Sequence, residues 1–271
     1  ESVAAALLLG YRHLLSDETQ QAFSGAGAMH VLAVSGLHVG ILYIITSMLL
    51  GIDRKKPQRS NWKKVVLAIS IVWLYATLTG LSPSVTRAAV MFTFIAAGNL
   101  AKRKPAIIQM IIGSAIFLLA YNPNYLFDVG FQLSYSAVFG IVYLQSGFYN
   151  LLPKLRFWLV DQIWKITTVS IAAQAATFPL SVYYFHQFPL FFIVSNLIVI
   201  PLAWLLMYFG IFMLAVSVFM VPPTWLIWIF QSLLGLMTQS VHLVENLPHA
   251  VLQGLHWSRF DLVLITLLVY L

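Results

Sequence analysis

Long apolar runs separated by short polar segments dominate the pattern of hydrophobic positions along this chain. An α-helix needs about 20 predominantly apolar residues to cross the hydrocarbon core, and in lipid its backbone groups must pair within the helix. The pattern therefore predicts an all-α polytopic transmembrane helical bundle of about eight or nine spans or half-spans. The apolar runs cover 28–50, 64–81, 83–100, 105–121, 128–148, 166–185, 190–219, 223–246 and the start of a further one at 261–271.

The first residues have a different pattern. A short apolar segment is followed by the polar stretch Ser16-Asp-Glu-Thr-Gln-Gln21, which suits helices lying at a membrane interface better than a span. We therefore predict an N-terminal interfacial helical segment over 1–27 and a transmembrane domain over 28–271. Because the chain starts at Glu1 and stops within an apolar run, we expect it to be a fragment of a longer protein.

Two prolines interrupt the apolar runs. Proline removes a backbone donor and clashes with the preceding turn, and the freed carbonyl is tolerated only inside a bundle or beside a cavity. We therefore expect broken helices near Pro179 and Pro201. The stretch from Ser195 to Pro201 also places the amide of Asn196 next to such a break, a combination typical of substrate sites in transporters and channels.

Composition and charge fix the class and the orientation. Hydrophobic residues make up 61% of the 271 residues and charged residues 8%, against about 25% charged in soluble domains. Twelve of the fifteen Lys and Arg residues lie in the loops 51–64, 101–104 and 149–165. The positive-inside rule places these loops in the cytoplasm and the N-terminus outside. The net charge of +7 thus reflects orientation and anionic lipid, and is poor support for nucleic-acid binding.

The segment around His30–Val39 is unusually polar for a membrane helix. At 100° per residue, Ser35 and His38 share one face, while Gly36 and Gly40 share another that is roughly opposite. Small residues let a neighbouring helix approach closely, whereas the polar face must meet protein or water. This helix therefore fits a packed bundle with a polar interior.

Three polar stripes follow helical spacing in other runs. They leave two interpretations open, because such residues either form hydrogen bonds between helices or line a hydrated path. The stripes are Thr167, Ser170, Gln174, Thr177 and Ser181; Gln231, Gly235, Thr238, His242 and Glu245; and Asp128, Gln132 and Tyr135.

Arg87 and Asp128 are charged residues near the predicted outer ends of two runs. A charge at mid-bilayer costs about 2.5–3.5 kcal/mol on insertion scales, so an intramembrane arginine usually has a partner or lines a water cavity. An Arg87–Asp128 pair is one expectation. The other is that Arg87 acts as a fixed cation on the path of an anion, and the two are compatible.

Several kinds of chemistry have no sequence support. The chain has no cysteine, no Gly-rich segment ending in Gly-Lys-Ser/Thr and no His-Glu-x-x-His, which removes thiol chemistry, a P-loop and that zinc motif. His30 and His38 are eight residues apart, too far to bind one ion easily. Ser35 and His38 lack a third orienting residue. We predict no catalytic residue, no metal site and no cofactor, and hence a protein that is not an enzyme.

Five ordered segments together resemble the competence domain of the ComEC family, the DNA-uptake channel of naturally transformable bacteria. The His-x-Leu-x-x-Ser-Gly-x-His-Val spacing is the most specific of them. The segments are His30-Val-Leu-Ala-Val-Ser-Gly-Leu-His-Val39, Pro83-Ser-Val-Thr-Arg-Ala-Ala-Val-Met91, Phe127-Asp-Val-Gly-Phe-Gln-Leu-Ser-Tyr135, Ala176-Thr-Phe-Pro-Leu-Ser181 and Ser195 through Leu202.

This resemblance implies a channel that carries single-stranded DNA across the bacterial cytoplasmic (inner) membrane as a multi-pass protein in the lipid bilayer. It also implies an external DNA receptor and a cytoplasmic ATPase motor as partners, with β-barrel and nuclease domains elsewhere in the full-length chain. Nuclease activity in the family is assigned to a metallo-β-lactamase-like domain that is absent from this sequence. We expect the channel-lining or DNA-path residues to be Ser35, His38, Arg87, Gln132, Gln174 and Asn196, with structural roles for Gly36, Gly40, Asp128 and Pro201.

Two other function classes remain open. A small-solute secondary transporter would use Asp128 and His38 to couple protons or ions, and an inverted repeat, which is not visible here, would favour it. A non-conducting membrane scaffold for external DNA-processing domains would have dry, tightly paired polar stripes.

Overall fold

The computed structural model describes residues 2–32, 36–52, 61–100, 107–152, 157–217 and 220–270. These ranges contain α-helices joined by short connections, 3-10 turns at Arg12–Leu14 and Pro123–Phe127, and one small sheet. The predicted helical fold class is confirmed. The helices α1 to α12 are, in order, Ser2–Leu9, Asp17–Gly25, Met29–Leu32, Gly36–Leu49, Trp62–Leu78, Pro83–Leu100, Ile107–Tyr121, Val129–Tyr149, Trp158–Phe185, Phe192–Ser217, Thr224–Glu245 and Arg259–Tyr270.

Two helices in the described ranges have both the length and the apolar character needed to cross a membrane. They contain Phe192–Leu214, with a mean hydropathy of 2.4, and Thr224–Glu245, with 1.3. The apolar helices α4 and α7 are shorter, at 14 and 15 residues, and polar residues such as Gln174 lower the hydropathy of α9. The chain is thus an apolar helical bundle of membrane-protein character, and eight or nine spans stay a prediction.

The helices do not break at the two internal prolines. α9 continues through Pro179, and α10 continues through Pro201, so the predicted breaks are wrong. A proline frees carbonyls on the preceding turn. In α9 the hydroxyl of Ser136 donates a hydrogen bond to the carbonyl of Ala176 at 2.6 Å, next to the buried proline. The carbonyl that Pro179 itself frees is that of Ala175, so this bond from α8 lies one residue away, and α9 is continuous through both.

The N-terminal segment packs into the main hydrophobic core. Ala6 and Leu7 of α1 are fully buried in a cluster with residues of α10 and α11. The side chain of Leu8 lies against Gly210, where a Cβ atom would come within 2.6 Å of Leu8 Cδ2. Tyr75 Oη also donates to the carbonyl of Leu8 at 2.9 Å. Residues on both sides of the predicted boundary at 27/28 therefore share one core.

Among the described helices, α8 and α9 form the most closely packed pair. A Cβ atom at Gly140 would overlap the Cβ of Ala176 and lie 2.9 Å from the carbonyl oxygen of Ala172, so only glycine permits this approach. At the far end of the pair, Tyr149 Oη donates to Asp161 Oδ1 at 2.5 Å, and Lys165 Nζ lies 2.6 Å from Asp161 Oδ2. The bonds from Lys165 and Tyr149 lower the pKa of Asp161, which lies outside the predicted spans.

Two short strands, which the sequence pattern did not predict, tie two loops together. β1 (Gln187–Pro189) pairs antiparallel with β2 (Val251–Gln253), with Gln187 opposite Gln253. The α2–α3 connection joins them, since Gln187 Nε2 donates to Ser24 Oγ at 3.1 Å. We call this side of the bundle the sheet end. It contains the C-termini of α9 and α11 and the N-termini of α10 and α12.

Candidate functional site

Alternate helices begin at the sheet end. The N-terminal half of α4 lies against the N-terminal half of α6, because Cβ atoms at Gly36 and Gly40 would contact Ala88 and Phe92 at 3.6 and 3.4 Å. α6 and α8 meet through Arg87 and Asp128. The start of α8 meets the end of α9 through Gln132 and Tyr184, which form a 2.9 Å hydrogen bond.

Four of the predicted path residues therefore share one region of the bundle. Each lies within the first five residues of a helix that starts at the sheet end, so they sit at similar depth on four different helices. These residues are His38 in α4, Arg87 in α6, Gln132 in α8 and Asn196 in α10.

Arg87 is the buried charge of this region. Its side chain is 5% exposed, and its Nη1 lies 3.9 Å from Oδ1 of Asp128, which is 40% exposed. The same carboxylate oxygen accepts the backbone N–H of Phe131 at 2.6 Å and thereby caps α8. Nε and Nη1 of Arg87 donate to no group in the part of the chain that the structure describes. Asp128 therefore balances the charge of Arg87 without a direct hydrogen bond to Nη1, and Nε and Nη1 keep their capacity to donate.

A small cavity opens beside Arg87. Its volume is about 190 Å³, including open solvent, and its walls include Thr86, Leu118, Tyr125 and Phe131. The enclosed space next to the guanidinium is about that of one water molecule, so a nucleotide does not fit in this arrangement.

Gln132 forms two hydrogen bonds. Its Nε2 donates to the carbonyl of Leu126 at 2.8 Å, and its Oε1 accepts the hydroxyl of Tyr184. The amide thus links α8 to α9 in the manner of interhelical hydrogen bonding, one of the two interpretations open from the sequence. Tyr184 was absent from the predicted site, because its partner is 52 residues away in the chain.

The segment His30–Val39, with its two histidines, is described only in part. Ser35 lies outside the described residues, so its predicted role has no structural test. His38 is fully buried. Cβ atoms added at Gly36 and Gly40 would be in van der Waals contact with Ala88 and Phe92 of α6, and the structural role predicted for these glycines stays a prediction.

The inner polar groups lie on α9 and α10, which pack against each other. Ser195 is 1% exposed and Asn196 is 6% exposed. Ser195 Oγ and Asn196 Oδ1 have no hydrogen-bond partner among the described residues, and the same holds for Ser170 Oγ. Gln174 is half-buried in the middle of α9 and does not join the cluster at the sheet end. Ser170 and Ser195 belonged to the polar pattern of the sequence without being selected as site residues.

The chemistry available in this region is hydrogen bonding and charge stabilisation. Within the described ranges, no group of three or more His, Asp or Glu side chains is placed to hold a metal ion. The region instead presents a buried cation with spare donors, a buried imidazole and unpaired amide and hydroxyl groups within an apolar bundle.

Comparison with known proteins identifies the relationship. The sequence profile described as "Competence protein" matches residues 7–271. The chain is 36% identical over 204 residues to ComE operon protein 3 of Bacillus subtilis (strain 168), covering 73% of this chain and 24% of that relative. It is 28% identical over 148 residues to an uncharacterized protein of Aquifex aeolicus (strain VF5), covering 54% of this chain and 34% of that relative.

The chain thus spans between a quarter and a third of the length of these curated relatives, 24% and 34%. No solved structure gives a significant match. The profile covers nearly all of the bundle described above, from α1 to the last residue, 7–271. The chain belongs to the Competence protein family.

Proposed function

We propose that this chain is the membrane-channel part of a DNA-uptake protein and carries single-stranded DNA across the bacterial cytoplasmic membrane during natural transformation. Membership of the Competence protein family supports a role in DNA uptake. The apolar helices support a membrane location. The multi-pass arrangement with its N-terminus outside is part of the proposal and rests on the positive-inside rule.

The observation that carries the channel proposal is the pair of unsatisfied polar groups on α10. Ser195 and Asn196 are buried, and Ser195 Oγ and Asn196 Oδ1 have no partner in the described ranges. An unpaired buried polar group costs about 1–3 kcal/mol. In a membrane bundle such groups mark hydrated cavities and substrate pathways. The presence of these two unpaired groups near the sheet end supports a path that becomes hydrated when the bundle opens.

The proposed path starts near Arg87 and passes His38, Gln132 and Asn196 before reaching Gln174. A fixed cation near the outer mouth attracts a polyanion, and neutral amides and hydroxyls further in let the strand slide without tight binding. Since the residues at the sheet end are packed closely here, this arrangement corresponds to a closed channel. Passage requires α10 to move relative to α4 and α9.

The energetics require partners. Moving a polyanion into a cell with a negative interior is uphill by about 2.3 kcal/mol per unit charge per 100 mV. The sequence has no P-loop, so a cytoplasmic ATPase motor must pull or ratchet the strand. An external DNA receptor would deliver the substrate, and the nuclease and β-barrel domains of the full-length chain would process it outside the membrane.

A thiol-protection experiment tests the path. The chain contains no cysteine, so a single introduced cysteine is the only thiol in residues 1–271. In the full-length protein in liposomes, Asn196→Cys is expected to react with a small water-soluble methanethiosulfonate. A single-stranded oligonucleotide should slow that reaction at least threefold, whereas duplex DNA at the same concentration should not.

The matched control is Val194→Cys, which lies on the same helix and is 46% exposed, so its reaction should not respond to DNA. Ser195→Cys provides a second path position if the variant at 196 is unstable. Equal protection at 194 and 196 would contradict the proposal. Unreactive thiols at both 195 and 196 would favour the dry scaffold, and protection by small solutes alone would favour the secondary transporter.

A further inference from the structure

Two histidines meet at the sheet end, apart from the proposed path. His186 ends α9, and His256 lies in the segment that follows β2. Their ring centroids are 4.9 Å apart, with an angle of 49° between the ring planes. Both side chains are exposed, so a solute from the aqueous side can reach them.

The backbone holds these rings in place. His186 adopts the left-handed conformation with φ of 56° and donates its N–H to the carbonyl of Val182 at 2.9 Å. Leu255, next to His256, donates its N–H to the carbonyl of His186 at 3.2 Å. On the other side, the ring of Trp257 packs edge-on against Phe178 at 5.1 Å. Both neighbours of His256 are therefore anchored.

The hydrogen bond of His186 determines which of its nitrogen atoms is available. Nδ1 lies 3.2 Å from the carbonyl oxygen of Leu255. A carbonyl only accepts, so Nδ1 carries the proton in this bond, and the lone pair of the neutral ring is on Nε2. A histidine that donates one ring N–H to a carbonyl while its other nitrogen faces outward is the usual arrangement of a metal ligand.

The ring separation matches that of two ligands of one ion. With zinc–nitrogen distances of about 2.0–2.1 Å and a tetrahedral angle, the ring centres of two bound imidazoles are on the order of 5 Å apart. The observed separation of 4.9 Å is close to this value. The His256 ring is exposed, and shared binding would require one of its nitrogens to point to the same ion as His186 Nε2.

We propose that His186 and His256 form an open binding site for a divalent transition-metal ion, with Zn²⁺ as the fitting ion. No cluster of three or more His, Asp or Glu side chains occurs in the described ranges, so water completes the coordination. The ion would fasten the C-terminus of α9 to the segment before α12. Because it binds the folded loops and not the unfolded chain, it would raise thermal stability.

Calorimetric titration of the purified protein in detergent with Zn²⁺ tests the site. The variants are His186→Asn, since asparagine tolerates positive φ, and His256→Ala, which keeps the turn of His186 unchanged. The wild type is expected to bind one Zn²⁺ per chain, with affinity at least tenfold weaker in either variant. Added Zn²⁺ should raise the unfolding temperature of the wild type but not that of either variant.

His249→Asn is the matched control, because His249 is also an exposed histidine with positive φ, 58°. Its Zn²⁺ affinity should equal that of the wild type. Unchanged binding in both His186→Asn and His256→Ala would overturn the proposal, as would equal weakening in His249→Asn. The readout is metal affinity, so it does not depend on whether the chain conducts DNA.

Discussion

At the scale of single residues, the region at the sheet end depends on one buried cation. Arg87 has a carboxylate at 3.9 Å, which is longer than a direct hydrogen bond. Asp128 meanwhile accepts a bond from the first turn of α8, so one side chain both caps a helix and balances a charge. Arg87 therefore keeps Nε and Nη1 free to donate to another acceptor. In the proposed function, that acceptor is a phosphate oxygen of the DNA strand.

Substitutions at these two positions separate the cation from the ion pair. Arg87→Ala in the full-length protein should lower transformation at least tenfold without reducing the amount of membrane-inserted protein. Arg87→Lys should retain part of the activity, because lysine keeps the charge but loses the planar fork of donors. Asp128→Asn should be milder than Arg87→Ala, since it leaves the cation in place.

Transformation frequency, normalised to the protein level from immunoblots, measures these effects. Arg259→Ala is the control, because Arg259 is an exposed basic residue at the same end of the bundle and should change the frequency by less than twofold. Transformation at the wild-type level in Arg87→Ala would refute the role of this cation.

At the scale of helices, close approach between α8 and α9 depends on glycine, which has no side chain, at position 140. Gly140 faces Ala172 and Ala176 without space for a Cβ atom. Gly147, on the same helix, has nothing within 4 Å of an added Cβ. An added methyl group would therefore clash at Gly140 and would be accommodated at Gly147 of the same helix.

Gly140→Ala should lower the unfolding temperature of the purified protein in detergent by several degrees, because α8 and α9 must separate. Gly147→Ala should leave it unchanged or slightly higher, since alanine is favoured over glycine in helices by up to about 1 kcal/mol. Thermal unfolding followed by intrinsic tryptophan fluorescence measures both. If the two variants shift equally, steric contact at position 140 is not what holds the pair together.

Helices were predictable from sequence where a single local rule applied. The apolar runs are helical where the structure describes them, because a helix satisfies its own backbone hydrogen bonds, although the run 28–50 contains two helices, α3 and α4. The predicted breaks failed because α9 and α10 continue through their prolines. At Pro179, Ser136 of α8 donates to the carbonyl of Ala176, next to the Ala175 carbonyl that the proline frees. β1 and β2 were missed for a similar reason, since three residues give no periodic signal and the pairing partner lies far along the chain. Contacts between distant segments decided these outcomes.

At the scale of the whole molecule, the two ends of the bundle differ in charge. The end near Tyr149 contains the Asp161–Lys165 pair. The sequence between α8 and α9 adds Lys154 and Arg156, which lie outside the described residues. The sheet end is formed by weakly charged connections. The pairing of β1 with β2 places the loop after α11 on the same side as the loop after α9, so α10 and α11 form a hairpin that returns to the sheet end.

Single cysteines test this orientation in intact cells. Leu252→Cys in β2 and Leu151→Cys after α8 occupy sites that are 43% and 71% exposed. A membrane-impermeant maleimide should label position 252 in intact cells and position 151 only after permeabilisation, because the proposed orientation puts the basic loops in the cytoplasm. The reverse pattern of labelling would invert the proposed orientation.

The small sheet also bears on how the chain reaches its final arrangement during synthesis. β1 is made before α10 and α11, and β2 is made after them. If α10 and α11 cross the bilayer as proposed, the two strands can meet only when this pair of helices forms a complete hairpin that returns to the starting side. A hairpin inserted with one helix left behind would hold the strands on opposite faces of the membrane. The β1–β2 ladder therefore closes only where α10 and α11 form such a hairpin.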